Sequence, residues 1–203
     1  MIEKRPTAGI LSLATYIPRA YDDADYIAAN SDTPADIIRT KLGWYQKNVP
    51  GPGDGTVAMG IKAARKALYY SGLSPDDIDL VIWSGEEVKE YRNWPVGPKI
   101  QKELGLKKAW SFDMQQRCGT TLVAFKLARD MIRADETLNN ILVVSGYRNS
   151  DLIHYPNSRV RWMYYLAAGG AACVIQRNCP KNEILDGHCI SDGSFAWDVY
   201  VPS

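Results

Sequence analysis

Two rhythms of apolar residues alternate along the chain, and their order predicts its architecture. Short apolar runs at residues 9–17 (GILSLATYI), 80–84 (LVIWS), 109–114 (AWSFDM) and 141–145 (ILVVS) have the length and the β-branched or aromatic content of strands. The runs at 80–84 and 141–145 are continuous, as in strands covered on both faces of a parallel sheet, and the run at 109–114 reads as buried too. Between them the period changes to 3.6. Val57, Ile61, Ala64 and Leu68 form one helical stripe, and Val96, Ile100 and Leu104 form a second. Thr121, Phe125, Ala128 and Ile132 form a third, flanked by Ala124 and Met131. Gly72 and Gly105 stand where such helices end. Strands alternating with helices predict an α/β unit built on a mostly parallel sheet, with no internal linker to divide it.

The remaining segments are shorter. Residues 22–41 read as two small helices, the second with Thr33 as N-cap and Pro34 at its first position. Residues 43–55, rich in Gly and Pro, read as an exposed loop, and residues 147–161 as a long polar one. The segments 164–168 and 171–176 flank Gly169-Gly170 and read as one strand broken by a turn, or as a hairpin. The tail from 183 to 203 has turn and short-strand character.

Composition narrows the class without choosing a function. The 203 residues are 46% hydrophobic and 23% charged, values that suit a globular domain with a real core, and the formal net charge is +1. That balance predicts neither a nucleic-acid surface nor a membrane-binding one, and no apolar run is long enough to span a bilayer. No signal-peptide pattern opens the chain. The four cysteines, Cys118, Cys173, Cys179 and Cys189, form no CxxC pair and no metal-ligand spacing. They predict no metal site and a reducing, cytoplasmic setting.

One cysteine lies where chemistry is expected. Cys118 falls at the join between the strand at 109–114 and the helix that follows, in the stretch 110–132 (WSFDMQQRCGTTLVAFKLARDMI). A thiol in the first turn of a helix faces unpaired backbone N–H groups and the positive end of the helix dipole, both of which favour thiolate. The alternative is a small buried residue at a tight turn.

The order of these features resembles the N-terminal half of the thiolase-fold condensing enzymes, in particular β-ketoacyl-acyl-carrier-protein synthase III and hydroxymethylglutaryl-CoA synthase. Tyr16-Ile17-Pro18 closes the opening strand as in the family's "YIP" start. The helix from Thr56 to Gly72, followed by Asp77-Ile78-Asp79-Leu80-Val81-Ile82, is similar to its helix and "IDLIVV" unit. PKIQKELG at 98–105 is similar to "xxIQxxLG", and Ser111-Phe112-Asp113 through Cys118-Gly119 to the nucleophile segment "AFDxxxAC.G". Ala168-Gly169-Gly170-Ala171-Ala172 resembles the "GDGAGA" turn and Ser191-Asp192-Gly193-Ser194 the "SDGS" segment.

The resemblance implies an acyltransferase of fatty acid or polyketide biosynthesis that forms carbon–carbon bonds by Claisen-type condensation through an acyl group on Cys118. It implies no tightly bound cofactor, and coenzyme A thioesters or acyl-carrier-protein phosphopantetheine as substrates. The backbone N–H of Cys118 is a candidate oxyanion donor. Three further residues are weighed. Glu86 follows the strand at 80–84, where α/β folds place their sites, in a segment similar to the "GTE" that carries the acid/base glutamate of hydroxymethylglutaryl-CoA synthases. The alternative for Glu86 is a solvated charge in the loop EEVKEYR. Lys47 aligns with a basic segment that contacts coenzyme A in synthase III and is a candidate phosphate contact. Arg117 stands where relatives carry a small residue. It either pairs with an acidic neighbour or, turned inward, favours an acidic acyl group.

The resemblance also predicts what is missing. The family's catalytic histidine and its asparagine or second histidine belong to the C-terminal half. His154 and His188, the two histidines here, lie outside any "HQAN"-like context and read as loop residues. Residues 1–203 therefore read as a single N-terminal thiolase-like unit, expected to be inactive without a second half. An apolar face left open should then bind a partner subunit or a second copy, with a non-catalytic role completing a partner as the alternative.

Overall fold

The structure, a computed structural model, describes residues 6–86 and 89–198. The chain runs β1 (Ala8–Tyr16), β2 (Tyr21–Asp23), α1 (Ala24–Ala29), α2 (Ala35–Thr40), β3 (Gln46–Asn48), α3 (Thr56–Ser71), β4 (Leu80–Trp83), α4 (Val96–Leu104), β5 (Trp110–Asp113), α5 (Thr120–Ala134), β6 (Asn140–Arg148) and β7 (Ala168–Arg177), linked in places by 3₁₀ turns. Five strands form one sheet in the order β1-β7-β6-β4-β5. β4 is parallel to both β5 and β6, and β7 runs antiparallel to both β6 and β1. Four of the five strands thus point the same way, so the sheet is mostly parallel as expected.

Alternation along each strand divides the core into two layers. In β4, Val81 and Trp83 face α3 and α4 together with Leu142, Val144 and Val174. Leu80 and Ile82 face the opposite side with Ile141, Val143, Cys173 and Ile175, against Ala124, Ala128 and Ile132 of α5. Each fully buried aliphatic side chain contributes about 1.5–3 kcal/mol. The helix ends follow the expected chemistry: Gly72 (φ 73°) and Gly105 (φ 72°) close α3 and α4 in the left-handed conformation.

Several expectations need correction. β5 is not buried: it is one of the sheet's two edge strands, and Trp110 is half exposed. Gly169-Gly170 makes no turn, since β7 runs unbroken from Ala168 to Arg177 between β1 and β6, and residues 164–167 lie outside it. Pro34, rather than Thr33, occupies the N-cap of α2. The loop at 43–55 contains β3, which pairs with β2.

The largest correction concerns residues 147–161. Their first residues complete β6, and the rest fold into 3₁₀ turns over a third apolar cluster. There Ile153 and Tyr164 pack with Ala24, Ile27 and Ile38 of the two small helices. This small cap is assembled from segments that leave β1 and β6 and enter β7. It therefore stands at the sheet end where the parallel strands β4, β5 and β6 terminate. The expected tail segment beyond residue 198 lies outside the described residues; before it, residues 193–195 form an exposed 3₁₀ turn in which Asp192 accepts from the Ser194 N–H.

Candidate active site

The end of the sheet at which β4 and β5 stop carries the candidate chemistry. The Met114 N–H donates to Trp83 O at 3.0 Å, holding the chain leaving β5 beside the end of β4. A clamped turn follows. Thr120 Oγ1 accepts from the Gln116 N–H at 2.8 Å and donates to Arg117 O at 2.6 Å, while the Gly119 N–H donates to Gln116 O at 3.3 Å. Cys118 is the middle residue of the resulting 3₁₀ turn (Arg117–Gly119) and is exposed, immediately before α5. It therefore precedes the α-helix by a turn instead of sitting within its first turn, with the N-terminal end of the 15-residue α5 behind it. The buried packing residue considered as the alternative is not what the structure shows.

Arg117 has φ 51°, a left-handed conformation that a non-glycine residue adopts at a cost of about 1–2 kcal/mol. That backbone reversal turns the chain from the direction of β5 into α5 and leaves Cys118 at the outside of the bend. Strain of this kind, fixed by the Thr120 clamp, accompanies functional turns.

The glutamate candidate lies next to this turn. Glu86 is partly exposed, and its N–H donates to Gly146 O at 2.8 Å, continuing the β4–β6 ladder past the end of β4. Gln115 Nε2 donates to Gly85 O at 3.3 Å, and Ser84 Oγ and Thr121 Oγ1 are 3.3 Å apart. The two segments bearing Glu86 and Cys118 are thus stitched together on both sides of the cysteine. Beside them, between α5 and the sheet, opens a cavity of about 180 Å³ with Leu13, Thr121, Phe125, Val143, Tyr147 and Cys173 in its wall.

Lys47 is not part of this arrangement. It is 5% exposed in β3, with its ammonium 4.9 Å from the centre of the Tyr155 ring, so it is not placed to meet a phosphate arriving from solvent. His154 and His188 are both exposed, in the cap and in the tail. Asp113 has a role that its place in the motif did not suggest. Its carboxylate accepts from the Val96 and Gly97 N–H groups and pairs with Lys89 at 3.1 Å, so it caps α4 and ties that helix to the end of β5. The usable signal was an aspartate ending a strand, with a proline-led helix start close before it. Among the described residues there is no group of histidine, cysteine and acidic side chains that could hold a metal ion.

The structure thus brings an exposed cysteine, on a clamped turn between a parallel strand and a helix, beside the strand end that carries Glu86. The 3-oxoacyl-[acyl-carrier-protein (ACP)] synthase III family model matches residues 112–193, which begin in β5 and include Cys118. The chain is 28% identical over 189 residues to a β-ketoacyl-[acyl-carrier-protein] synthase III of Rickettsia rickettsii, covering 93% of this chain and 58% of the relative. It is 26% identical over 203 residues to the synthase of the same name from Chlamydia caviae, covering 100% and 59%. Among solved structures, 3-oxoacyl-(acyl carrier protein) synthase III of Pseudomonas aeruginosa superposes with a TM-score of 0.84 at 22% identity, over 97% of this chain and 61% of that one. The priming β-ketosynthase of a polyketide biosynthetic pathway gives 0.79 at 25% identity, over 89% and 53%. In sequence and in fold the chain is similar to β-ketoacyl-acyl-carrier-protein synthase III enzymes. It spans somewhat under three-fifths of the length of the curated relatives it matches. The relatives' names favour the synthase III resemblance over the hydroxymethylglutaryl-CoA synthase one, and they do not bear out the expected inactivity. No helix among the described residues is long and apolar enough to cross a membrane.

Proposed function

We propose that this chain carries the nucleophile of a synthase III-type acyltransferase acting on acyl thioesters of coenzyme A or acyl-carrier protein. The observation that carries the reading is the presentation of Cys118: exposed, on a turn fixed by Thr120, at the sheet end that the family model covers. The Cys118 sulfur attacks the thioester carbonyl carbon. An S–C bond forms, and the donor's thiol departs with the proton that the cysteine gives up. A carbanion derived from a second thioester then attacks the acyl carbon, a C–C bond forms, and the Cys118 sulfur leaves. The backbone N–H of Cys118 is the candidate donor to the oxyanion of both steps. No cofactor enters this scheme, and its setting is cytoplasmic.

Mass spectrometry of the full chain after incubation with acetyl-CoA tests the first step. The expected result is one acetyl group, mapped to the peptide containing Cys118. No adduct there, with a completing partner also present, would support the non-catalytic alternative.

Glu86 supports a second reading, acid/base assistance as in hydroxymethylglutaryl-CoA synthase, because its strand end is bonded to the cysteine's segment. In the synthase III reading, Glu86→Gln lowers the acylation rate less than about tenfold. A loss of about 10²–10⁴-fold, the range for removing a general acid or base, would favour the second reading.

Residues 1–203 act, in this reading, as one thiolase-like unit completed by further polypeptide. The supporting observation is exposed apolar surface on the α5 side of the sheet: Leu13 (63% exposed) in the cavity wall, and Leu122 (73%) and Leu127 on the outer side of α5. Gel filtration of the chain alone should show self-association, or a monomer that shifts on adding the completing subunit. A monodisperse monomer indifferent to every candidate subunit would argue against completion.

A further inference from the structure

We propose that the cap over the catalytic end of the sheet is held by a proton-sensitive latch at Lys47, which loosens when the Lys47 amine is protonated. The strand directions place this latch. β1, β4, β5 and β6 all end at the side of the sheet that carries Cys118, and β7 begins there. Residues 21–48, which hold the β2–β3 pair and the helices α1 and α2 between them, and residues 149–167 leave from that same end and pack on each other through Ile27, Ile38, Ile153 and Tyr164.

Lys47 lies inside this contact. Its cross-strand neighbour is Asp22, but the Asp22 carboxylate accepts the hydroxyl of Tyr155. The Lys47 Nζ, itself buried, has no hydrogen-bond partner among the described residues, and it lies over the face of the Tyr155 ring, 4.9 Å from its centre. The titratable groups that face it are Asp22 from β2 and Tyr155 from the cap. Tyr26 of α1 and Tyr164 stack edge-on behind Tyr155, and the Tyr164 hydroxyl donates to Tyr155 O at 2.8 Å. Burial, reinforced by the bond to Asp22, pushes the Tyr155 hydroxyl well above its ordinary value, so it remains a neutral donor to Asp22 Oδ2.

An ammonium with its N–H donors unmet is expensive to bury, and a ring face recovers only part of that cost. Burial accordingly lowers the Lys47 pKa to about 8, with Asp22 opposing the shift. The sign follows from linkage. When the cap opens, Lys47 regains its ordinary value of 10.5, so the open form binds more protons than the closed form between about pH 8 and 10.5. Raising the pH through that window closes the cap, and below it the cap is at its loosest.

Hydrogen exchange of the full chain, read as protection factors for backbone amides in residues 149–167, tests the latch. Between pH 7 and 9, protection should rise about tenfold, as linkage between the two Lys47 values requires. Lys47→Met, which keeps the stem and removes the charge, should give high protection at both pH values. Lys47→Arg, which cannot lose its proton, should give low protection at both. A wild-type chain with no pH dependence, or a Lys47→Met variant that retains it, would overturn the proposal. Because no acyl substrate is involved, failure of the acyl-transfer reading would leave this test unaffected.

Discussion

Cys118→Ala is expected to abolish acyl transfer, with turnover of the completed enzyme falling on the order of 10⁴- to 10⁶-fold, as when the nucleophile of a covalent mechanism is removed. The structure makes this a demanding prediction, because Cys118 is not the only accessible thiol. Cys189 is exposed too, whereas Cys173 and Cys179 are buried. Burial also pushes the Cys173 thiol up to about 12, which holds it as an unreactive thiol in the cavity wall. If adduct formation reflected exposure alone, Cys189 would acylate as fast as Cys118. The positions differ in what surrounds them. Cys118 is held by the Thr120 clamp in front of a 15-residue helix, while Cys189 lies in an exposed tail segment without regular structure. Cys118→Ala should therefore remove the acetyl adduct from intact chain and Cys189→Ala should leave it. The reverse pattern would mean that the thioester modifies whichever thiol is free, and the acyl-transfer reading would fall.

A related comparison addresses the turn itself. Thr120 joins the strand-side and helix-side halves of the cysteine's turn through one hydroxyl, which both accepts and donates. The positive φ of Arg117 depends on that fixation, since a left-handed arginine relaxes when its surroundings do not hold it. The cysteine's position is therefore a property of the turn, built from Gln116 to Thr120, as much as of the helix behind it.

What could be read from the chain in advance was governed by which signals are local. The α3 and α4 stripes and their closing glycines are set by spacing within one segment, and they were legible nearly to the residue. β4 and β6 were legible as well, because a strand covered on both faces must be apolar at consecutive positions. Strand neighbours were not, since nothing in AWSFDM says that no strand pairs on its outer side. Nor does AGGAACVIQR disclose that it runs antiparallel between two others. The cap was hidden for a different reason. Its core uses isolated residues, Ile27, Ile38, Ile153 and Tyr164, drawn from segments more than a hundred positions apart and embedded in polar sequence. Lys47 was misplaced with it, because a lysine in a loop ordinarily reads as solvated and only the tertiary contact with Tyr155 buries it. The candidate nucleophile was legible from the strand-to-helix join and the motif order, but its clamp was not, because Thr120 acts through contacts to Gln116 and Arg117 that no periodicity reveals.

Gly146→Ala and Gly170→Ala are each expected to cost about 3 kcal/mol, toward the upper end for overpacking a core, although each adds a single methyl group. The two glycines are register partners on β6 and β7, side by side beneath the N-terminal half of α3. A Cβ built on Gly146 would lie 2.0 Å from Thr56 O, and one on Gly170 would lie 2.2 Å from Met59 O. The obstacles are backbone carbonyls of α3, not flexible side chains, so no rotamer change relieves them. Neither glycine has a positive φ, and the penalty is therefore steric contact alone. Relief requires lifting α3 from the sheet, which would open the layer in which Val57, Ala64 and Leu68 pack with Trp83 and Val144. With domain stabilities of about 5–15 kcal/mol, such a loss is a large share of the total. In a chain of this size it should lower the melting temperature by about 6–12 °C. Gly187→Ala is the matched control, because its site has open space around the added Cβ and it should shift the transition by no more than about 0.5 kcal/mol. Thermal unfolding followed by circular dichroism measures all three. If the Gly146 and Gly170 variants melted with the control, the close seat of α3 on the sheet would be wrong. The fixed position of the β6 end, against which the Glu86 backbone is held at Gly146 O, would then lose its support.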